Sequence, residues 1–253
     1  MSRPSPLTLL RNYLVTGPLI FGATALMGSV SLVVSLFSST GRTQHRLARR
    51  WSRMLLGIAG VHVTVEGLEK IAPGGSYVFI ANHRSYFDVP VILPHISVQF
   101  RFIANKNLFR IPFIGYHLAR AGHLAVNVDN ARESLKSMSE AARMIQKGGI
   151  SILLFPEAGR TCGELEPFKD GAAYIAIKAG VPIVPIALTG VREVMPVGSS
   201  VVRGGPVRMR VGNPITTLDL ALQDRTRLSR ELHRQMVEML EEGAGVRDQA
   251  IPA

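Results

Sequence analysis

Ser151-Ile152-Leu153-Leu154-Phe155, followed at once by Pro156-Glu157-Ala158-Gly159-Arg160-Thr161, is the stretch on which the fold turns. The first run is too short for an ordinary helix, and its apolar residues do not alternate with polar ones. A strand covered on both faces reads this way, because neither side of it meets water. Such strands belong to parallel sheets packed between helices. The polar, glycine-containing run that follows is a loop at the strand's carboxyl end, where open α/β sheets gather reactive groups.

Working outward, the same alternation recurs. Strands are expected over residues 61–65, 77–81, 100–104, 123–128, 150–155, 183–188 and 207–211. Between 131 and 147, Leu135, Met138, Ala142 and Ile145 recur at helical spacing, and Gly148-Gly149 closes that helix. A last helix is expected from about 226 to 242, with fraying after Gly243. Strands alternating with helices predict an α/β fold: a mixed, largely parallel sheet flanked by helices, preceded by an N-terminal hydrophobic membrane-anchoring helical segment.

That segment runs from Tyr13 to Phe37 without a charged side chain. At about 1.5 Å per residue it is long enough for a hydrocarbon core of roughly 30 Å. Gly17, Pro18, Gly22, Gly28 and Ser29 leave a second reading open, a bent hairpin dipping into one leaflet. A cleaved signal peptide fits less well, since its apolar region would be only about 7–15 residues long. The chain continues instead into Arg42, Arg46, Arg49, Arg50 and Arg53, interleaved at helical spacing with Leu47, Trp51, Met54, Leu55 and Ile58. Trp51 stands where an interfacial anchor would, and the arginines would face anionic phospholipid headgroups. The positive-inside bias predicts the inner (cytoplasmic) membrane, with the catalytic domain on the cytoplasmic side. Residues 1–60 are thus expected to form the anchor and basic segment, and residues 61–253 the catalytic domain.

Composition narrows the partners. The formal charge of +11 predicts an anionic one: nucleic acid, a lipid surface or a phosphorylated substrate. Aromatic residues are only 6%, and much of the charge gathers beside the anchor, so no nucleic-acid partner is expected. The single Cys162 excludes an intrachain disulfide, and no neighbouring histidine activates it as a nucleophile. His45, His62, His95, His117, His123 and His233 are scattered without zinc-ligand spacing and read as surface or packing residues.

The richest local chemistry is Asn82-His83-Arg84-Ser85-Tyr86-Phe87-Asp88, directly after the strand at 77–81. On a regular helix His83 and Asp88 would lie about 140° apart. They meet only across a turn, and Asn82 and Ser85 supply the local hydrogen bonding that a turn needs. Asp88 would then accept from His83 Nδ1–H and leave Nε2 as a general base. In the loop after 150–155, Arg160 can hold a phosphate by charge and forked hydrogen bonds. Glu157 would position Arg160 or an acceptor, although an ordinary surface Glu–Arg pair explains the same two residues.

Residues 76–188 resemble the 1-acyl-glycerol-3-phosphate (lysophosphatidic acid) acyltransferase family of glycerolipid acyltransferases. The family's Asn-His-X-Ser-X-X-Asp block is matched by Asn82, His83, Ser85 and Asp88, and its second block by Lys106, Ile111, Pro112 and Gly115. The Phe-Pro-Glu-Gly-Thr-Arg-Ser block stands here as Phe155, Pro156, Glu157, Ala158, Gly159, Arg160 and Thr161. Phe168, Lys169 and Gly171 follow, and Val-Pro-Ile-Val-Pro-Ile is complete at 181–186. The resemblance implies His83 and Asp88 as catalytic residues. It implies Lys106, Glu157 and Arg160 as substrate-binding residues, with Asn82, Ser85, Phe155, Pro156 and Thr161 in support. It further implies transfer from acyl-CoA or acyl carrier protein to the sn-2 hydroxyl of 1-acyl-glycerol 3-phosphate, giving phosphatidic acid, without an acyl-enzyme, metal or resident cofactor. One departure stands out: Asn127-Val128 occupies the place where family members often have Asp-Arg, leaving Lys106 and Arg160 more of the headgroup. Three other readings remain: a different acceptor (another lysolipid or glycerol 3-phosphate), a lipid ester or thioester hydrolase, and a non-enzymatic membrane-surface binder.

Overall fold

The computed structural model describes residues 5–37, 41–111, 114–160 and 163–249. Seven strands form one sheet: β1 (Val61–Glu66), β2 (Val78–Ala81), β3 (Phe100–Asn105), β4 (Leu124–Val126), β5 (Ser151–Leu154), β6 (Ile183–Thr189) and β7 (Gly205–Val211). Their order is β1-β7-β6-β2-β5-β3-β4. Every pairing is parallel except β6 with β7. The sheet is therefore mixed and largely parallel, as expected from apolar strands that do not alternate.

Alternation of side chains along β2 divides the core. Phe79 and Ala81 pack with Phe100, Leu153 and Ile186 on one face, while Val78 and Ile80 pack with Ile152 and Ile183 on the other. The first face is covered by α3 (Arg42–Ala59) through Leu55, Leu56 and Ala59 and by α4 (Asp88–Ile92) through Val91 and Ile92. The second is covered by α6 (Ala131–Gly148), α7 (Gly171–Ala179) and α9 (Arg225–Gln249). Gly149 ends α6 in the left-handed conformation, φ 62°, with its N–H on the Ile145 carbonyl at 2.9 Å. The remaining helices are α1 (Pro6–Arg11), α2 (Gly17–Phe37), α5 (Ile114–Arg120) and α8 (Val191–Val194).

The expected strand ends shift by one or two residues, and the last helix differs most. The strand at 123–128 shortens to Leu124–Val126, because His123 accepts the Phe102 N–H on its ring Nδ1 (2.9 Å). The last helix does not fray at Gly243 but continues to Gln249. A Cβ at Gly243 would stand 3.1 Å from Thr189 Cγ2, so the missing side chain lets α9 lie close against the end of β6.

The two longest helices have opposite polarity. α9 buries Leu228, Leu232, Met236 and Met239 and carries its charges outward, Arg234 between Glu231 and Glu238. α2 buries Ala23, Ser31 and Ser35, while Leu19, Phe21, Leu26, Val33, Leu36 and Phe37 point outward. Its polar contacts run inward: Ser31 Oγ meets His117 Nδ1 at 2.7 Å, and Arg120 donates to the Ser35 carbonyl. A helix in water does the reverse. The unit Pro6–Phe37 is long and apolar enough to cross a membrane, and its outward apolar face fits membrane association.

The bend considered between Gly17 and Ser29 does not occur; α2 runs unbroken through Gly22 and Gly28. The irregularity is the wide turn Asn12–Thr16 just before it, where a Cβ on Gly17 would meet the Asn12 carbonyl at 2.9 Å. Trp51 does not stand free as an interfacial anchor. Its indole N–H donates to Thr24 Oγ1 at 3.1 Å, tying α3 to α2. Arg49 likewise turns inward, to the Pro94 carbonyl at 2.9 Å, whereas Arg42, Arg46, Arg50 and Arg53 are exposed.

Candidate active site

β2 is fully buried and ends at Ala81, so the next residues emerge at the carboxyl edge of the sheet's centre. The structure brings His83 and Asp88 together there, with Nδ1 and Oδ2 2.6 Å apart. A carboxylate oxygen only accepts, so Nδ1 carries the proton and Nε2 presents a lone pair. Nε2 has no hydrogen-bond partner among the described residues.

The bend that joins the pair is built by Asp88 itself. Its Oδ2 also accepts the backbone N–H groups of Arg84 (2.9 Å) and Ser85 (3.0 Å), folding the loop over the carboxylate at the start of α4. Asp88 is fully buried, and all its described donors converge on Oδ2; Oδ1 has no partner among the described residues. Ser85 braces the turn from the other side, its hydroxyl donating to the Met195 carbonyl (2.8 Å) and accepting the Phe87 N–H (3.1 Å).

Asn82 serves a longer range than the local turn expected of it. Its amide donates to the Leu188 carbonyl (3.0 Å) and accepts the Leu188 N–H (2.8 Å), so it acts as one more rung of ladder between β2 and β6. Glu157 also reaches the His83 loop. Its Oε1 accepts the His83 backbone N–H at 2.8 Å and its Oε2 the Glu166 N–H at 3.3 Å, so it holds the base's own backbone.

Phe155 stacks on the His83 ring with centroids 3.9 Å apart and planes 15° from parallel, which fixes the imidazole's plane. Pro156 is buried beside it and accepts the Lys169 N–H on its carbonyl at 2.9 Å. Ala158 holds φ 61°, a left-handed conformation costly to a side-chain-bearing residue, in the place where the related motif has glycine.

The cations lie further out. Arg160 is exposed, lies over the Tyr86 ring at 4.3 Å and donates to the Ser85 carbonyl at 3.4 Å, which ties it to the His83 loop. Lys106 follows β3 in a short 3-10 turn. It pairs with Glu133 Oε2 at 3.6 Å, and Asn127 donates to the same oxygen at 2.8 Å. Asn127 thus orients the carboxylate that holds Lys106. No described hydrogen bond or ion pair joins Lys106 to His83, Asp88 or Arg160. A Cβ on Gly115 would stand 2.0 Å from the Phe109 carbonyl oxygen, so this turn closes only around glycine. Thr161, Pro112 and Cys162 fall outside the described residues.

His62 is exposed on β1 and the other histidines pack, in keeping with the expected surface or packing roles. His45 meets Phe100 edge-on, His95 contacts the Val91 carbonyl, and His233 meets Phe168 edge-on. Burial, with Arg101 and Arg49 nearby, lowers His45 to a pKa of about 4. Burial also lowers His117, and it lowers His123 well below the usual range, helped by His117, Arg101 and His45. Sequence reasoning missed the ring stacking of Phe155 and the Arg160–Tyr86 contact. An aromatic residue at a strand end beside a reactive loop is the only signal that pointed to either.

The sequence profile of the Acyltransferase family matches residues 62–189. The 1-acyl-sn-glycerol-3-phosphate acyltransferase BAT2, chloroplastic, of Brassica napus is 31% identical over 78% of this chain and 59% of that protein. The 1-acyl-sn-glycerol-3-phosphate acyltransferase of Cocos nucifera is 34% identical over 66% of this chain and 54% of that protein. The chain therefore spans little more than half the length of these relatives. The crystal structure of the 1-acyl-sn-glycerophosphate (LPA) acyltransferase PlsC from Thermotoga maritima superposes with a TM-score of 0.75 at 23% identity. That match covers 92% of this chain and 97% of the other, a likeness of fold.

Proposed function

This chain belongs to the acyltransferase family, and on that premise we propose that it transfers a fatty acyl group from a thioester to the sn-2 hydroxyl of 1-acyl-glycerol 3-phosphate, giving phosphatidic acid. The observation that carries the reading is the His83–Asp88 contact of 2.6 Å with Nε2 left open at the end of the central strand. The names of the two curated relatives support the choice of acceptor.

The acceptor hydroxyl donates its proton to His83 Nε2 as its oxygen bonds to the thioester carbonyl carbon. Asp88 steadies the imidazolium that forms. The carbon–sulfur bond then breaks, and the departing thiolate of coenzyme A or acyl carrier protein takes the proton from Nε2. The base acts directly on the acceptor, so no acyl-enzyme forms and neither metal nor resident cofactor is invoked. Phe155 and the Asp88 hydrogen bond hold the imidazole in one orientation, which spares the transition state that ordering cost. Arg160 and Lys106 orient the acceptor phosphate, with Glu133 yielding Lys106 to it.

Both lipids have acyl chains dissolved in the bilayer, which accounts for a catalytic domain carrying an outward apolar helix. Our reading puts that domain on the cytoplasmic face of the inner membrane, against anionic lipid, supported by exposed Arg42, Arg46, Arg50 and Arg53 beside α2. The test is purified protein in detergent, labelled acyl thioester and a panel of acceptors. Label appearing in phosphatidic acid supports the assignment. Thioester loss without an acceptor would make the protein a hydrolase, and preference for another acceptor would change the substrate.

A further inference from the structure

The turn that carries His83 also carries an aromatic ring with no part in the proton transfer. Tyr86 stands between Ser85, whose hydroxyl donates to the Met195 carbonyl at 2.8 Å, and Phe87, which is buried in the core. Both neighbours are fixed, so the ring is fixed at its root. Tyr86 itself is exposed, and the guanidinium carbon of Arg160 lies 4.3 Å from the centre of its ring. The two loops are stitched in both directions. Arg84 donates from the His83 loop to the Gly163 carbonyl, and Arg160 Nε donates back to the Ser85 carbonyl at 3.4 Å. Glu157 adds a third link by accepting the His83 backbone N–H.

The way a cation is held decides what it can still bind. Lys106 is held by a carboxylate, Glu133 Oε2 at 3.6 Å, so an arriving anion must displace a charge. Arg160 has a ring and a carbonyl as its described partners, with no carboxylate among them. The face of an aromatic ring attracts a cation through its quadrupole and takes up none of its N–H donors. With Nε on Ser85, both Nη groups of Arg160 keep their N–H bonds free among the described residues. That edge is the one that forks onto two phosphate oxygens.

We infer that Tyr86 is a positioning residue for the acceptor headgroup, its ring holding Arg160 charged and with its fork open at a fixed place relative to His83. The inference rests on the headgroup role proposed for Arg160 and adds the group that aims it. Tyr86 and His83 belong to one turn, so that turn sets the separation between the proton acceptor and the phosphate fork. The site therefore selects an acceptor whose phosphate lies a set number of bonds from the reacting hydroxyl.

The experiment uses the full chain in detergent with acyl-CoA and three acceptors: 1-acyl-glycerol 3-phosphate, the same lipid without its phosphate, and the same lipid with one methylene added between hydroxyl and phosphate. Tyr86→Leu should raise the KM for the natural phosphorylated acceptor about three- to fivefold, the size of a surface cation–π contact. Its kcat and its KM for the phosphate-free lipid should stay as in the wild type. Tyr86→Phe keeps the ring face and should keep the wild-type KM. Tyr86→Leu should also narrow the preference for the natural acceptor over the lengthened one, since a released Arg160 can follow the phosphate. In an Arg160→Ala background Tyr86→Leu should add nothing, because the two act as one unit. An equal KM rise with the phosphate-free lipid, a fall in kcat, additive effects of the two substitutions, or Tyr86→Phe behaving like Tyr86→Leu each overturns the inference. So does an undiminished preference against the lengthened acceptor. Arg160→Ala separates the two levels. If it raises the KM while Tyr86→Leu does not, Arg160 stays in the headgroup site and the ring has no part in aiming it. If neither variant moves the KM, the headgroup role of Arg160 fails, and the inference with it.

Discussion

The His83 loop and the cluster of His45, His117 and His123 present the same side chain in opposite settings. At His83 a buried carboxylate takes the Nδ1 proton, Phe155 fixes the ring plane, and Nε2 is left open. In the cluster the charged neighbour is Arg101, and the rings meet each other, Phe100 and Phe102. His45 Nε2 is buried with no partner among the described residues. A histidine acts as a base when a carboxylate orients it and solvent or substrate can reach its other nitrogen. Among cations and apolar groups it is held neutral and contributes to packing.

The sharpest way to break this contrast is to remove the imidazole in one place only. His83→Ala, or Asp88→Asn with its loss of the orienting acceptor, should lower the acyl-transfer rate by about 10²–10⁴-fold. Far-UV circular dichroism and vesicle binding should stay as in the wild type, and full activity in His83→Ala would dissolve the distinction.

The cluster answers to pH instead. His45 titrates near 4 when folded and near 6.5 when unfolded, so its contribution is complete above pH 6.5 and is lost as the pH falls toward 4. That single residue is worth up to roughly 3 kcal/mol, and His117 and His123 add in the same direction. Denaturant titrations at pH 7 and pH 5 should show the loss, and a flat profile would mean that these rings accept protons in place.

Outside both regions the effects shrink. Arg160→Ala should raise the KM for a phosphorylated acceptor about tenfold, the value of one charged hydrogen bond, with little change in kcat. Acceptor saturation curves decide this, and an unaltered KM removes Arg160 from the headgroup site. Smallest is Ala158→Gly, which relieves the left-handed φ of 61° at the cost of glycine's extra freedom when unfolded. A gain of about 1 kcal/mol or less is expected, read as a small rise in Tm.

Much of this was legible along the chain. The non-alternating apolar run at 151–155 announced a buried parallel strand, and the spacing of Leu135, Met138, Ala142 and Ile145 announced α6. His83 and Asp88 stood out because they follow a strand and share a block with Asn82 and Ser85. Partners across the fold were not legible. Asn82 bonds to Leu188, 106 positions away. Glu157 holds the amide of a residue 74 positions earlier, and Lys106 is held by a carboxylate that Asn127 orients. Side-chain contacts of that range depend on which strands lie side by side, and residue spacing carries no record of strand order.

By itself the amino-acid sequence determined the class of the fold, the loop that bears the base, and the presence of a charge-free N-terminal helix. All three are written in periodicity and local chemistry, which act over a few residues. The tertiary structure alone decided that α2 turns Ser31 and Ser35 inward and Leu19, Leu26 and Leu36 outward, that Phe155 lies on the base, and that a cavity edged by Arg84 and Arg192 opens between the ends of β2 and β6. These are juxtapositions of distant segments, and they exist only once burial of the sheet has fixed which elements are neighbours.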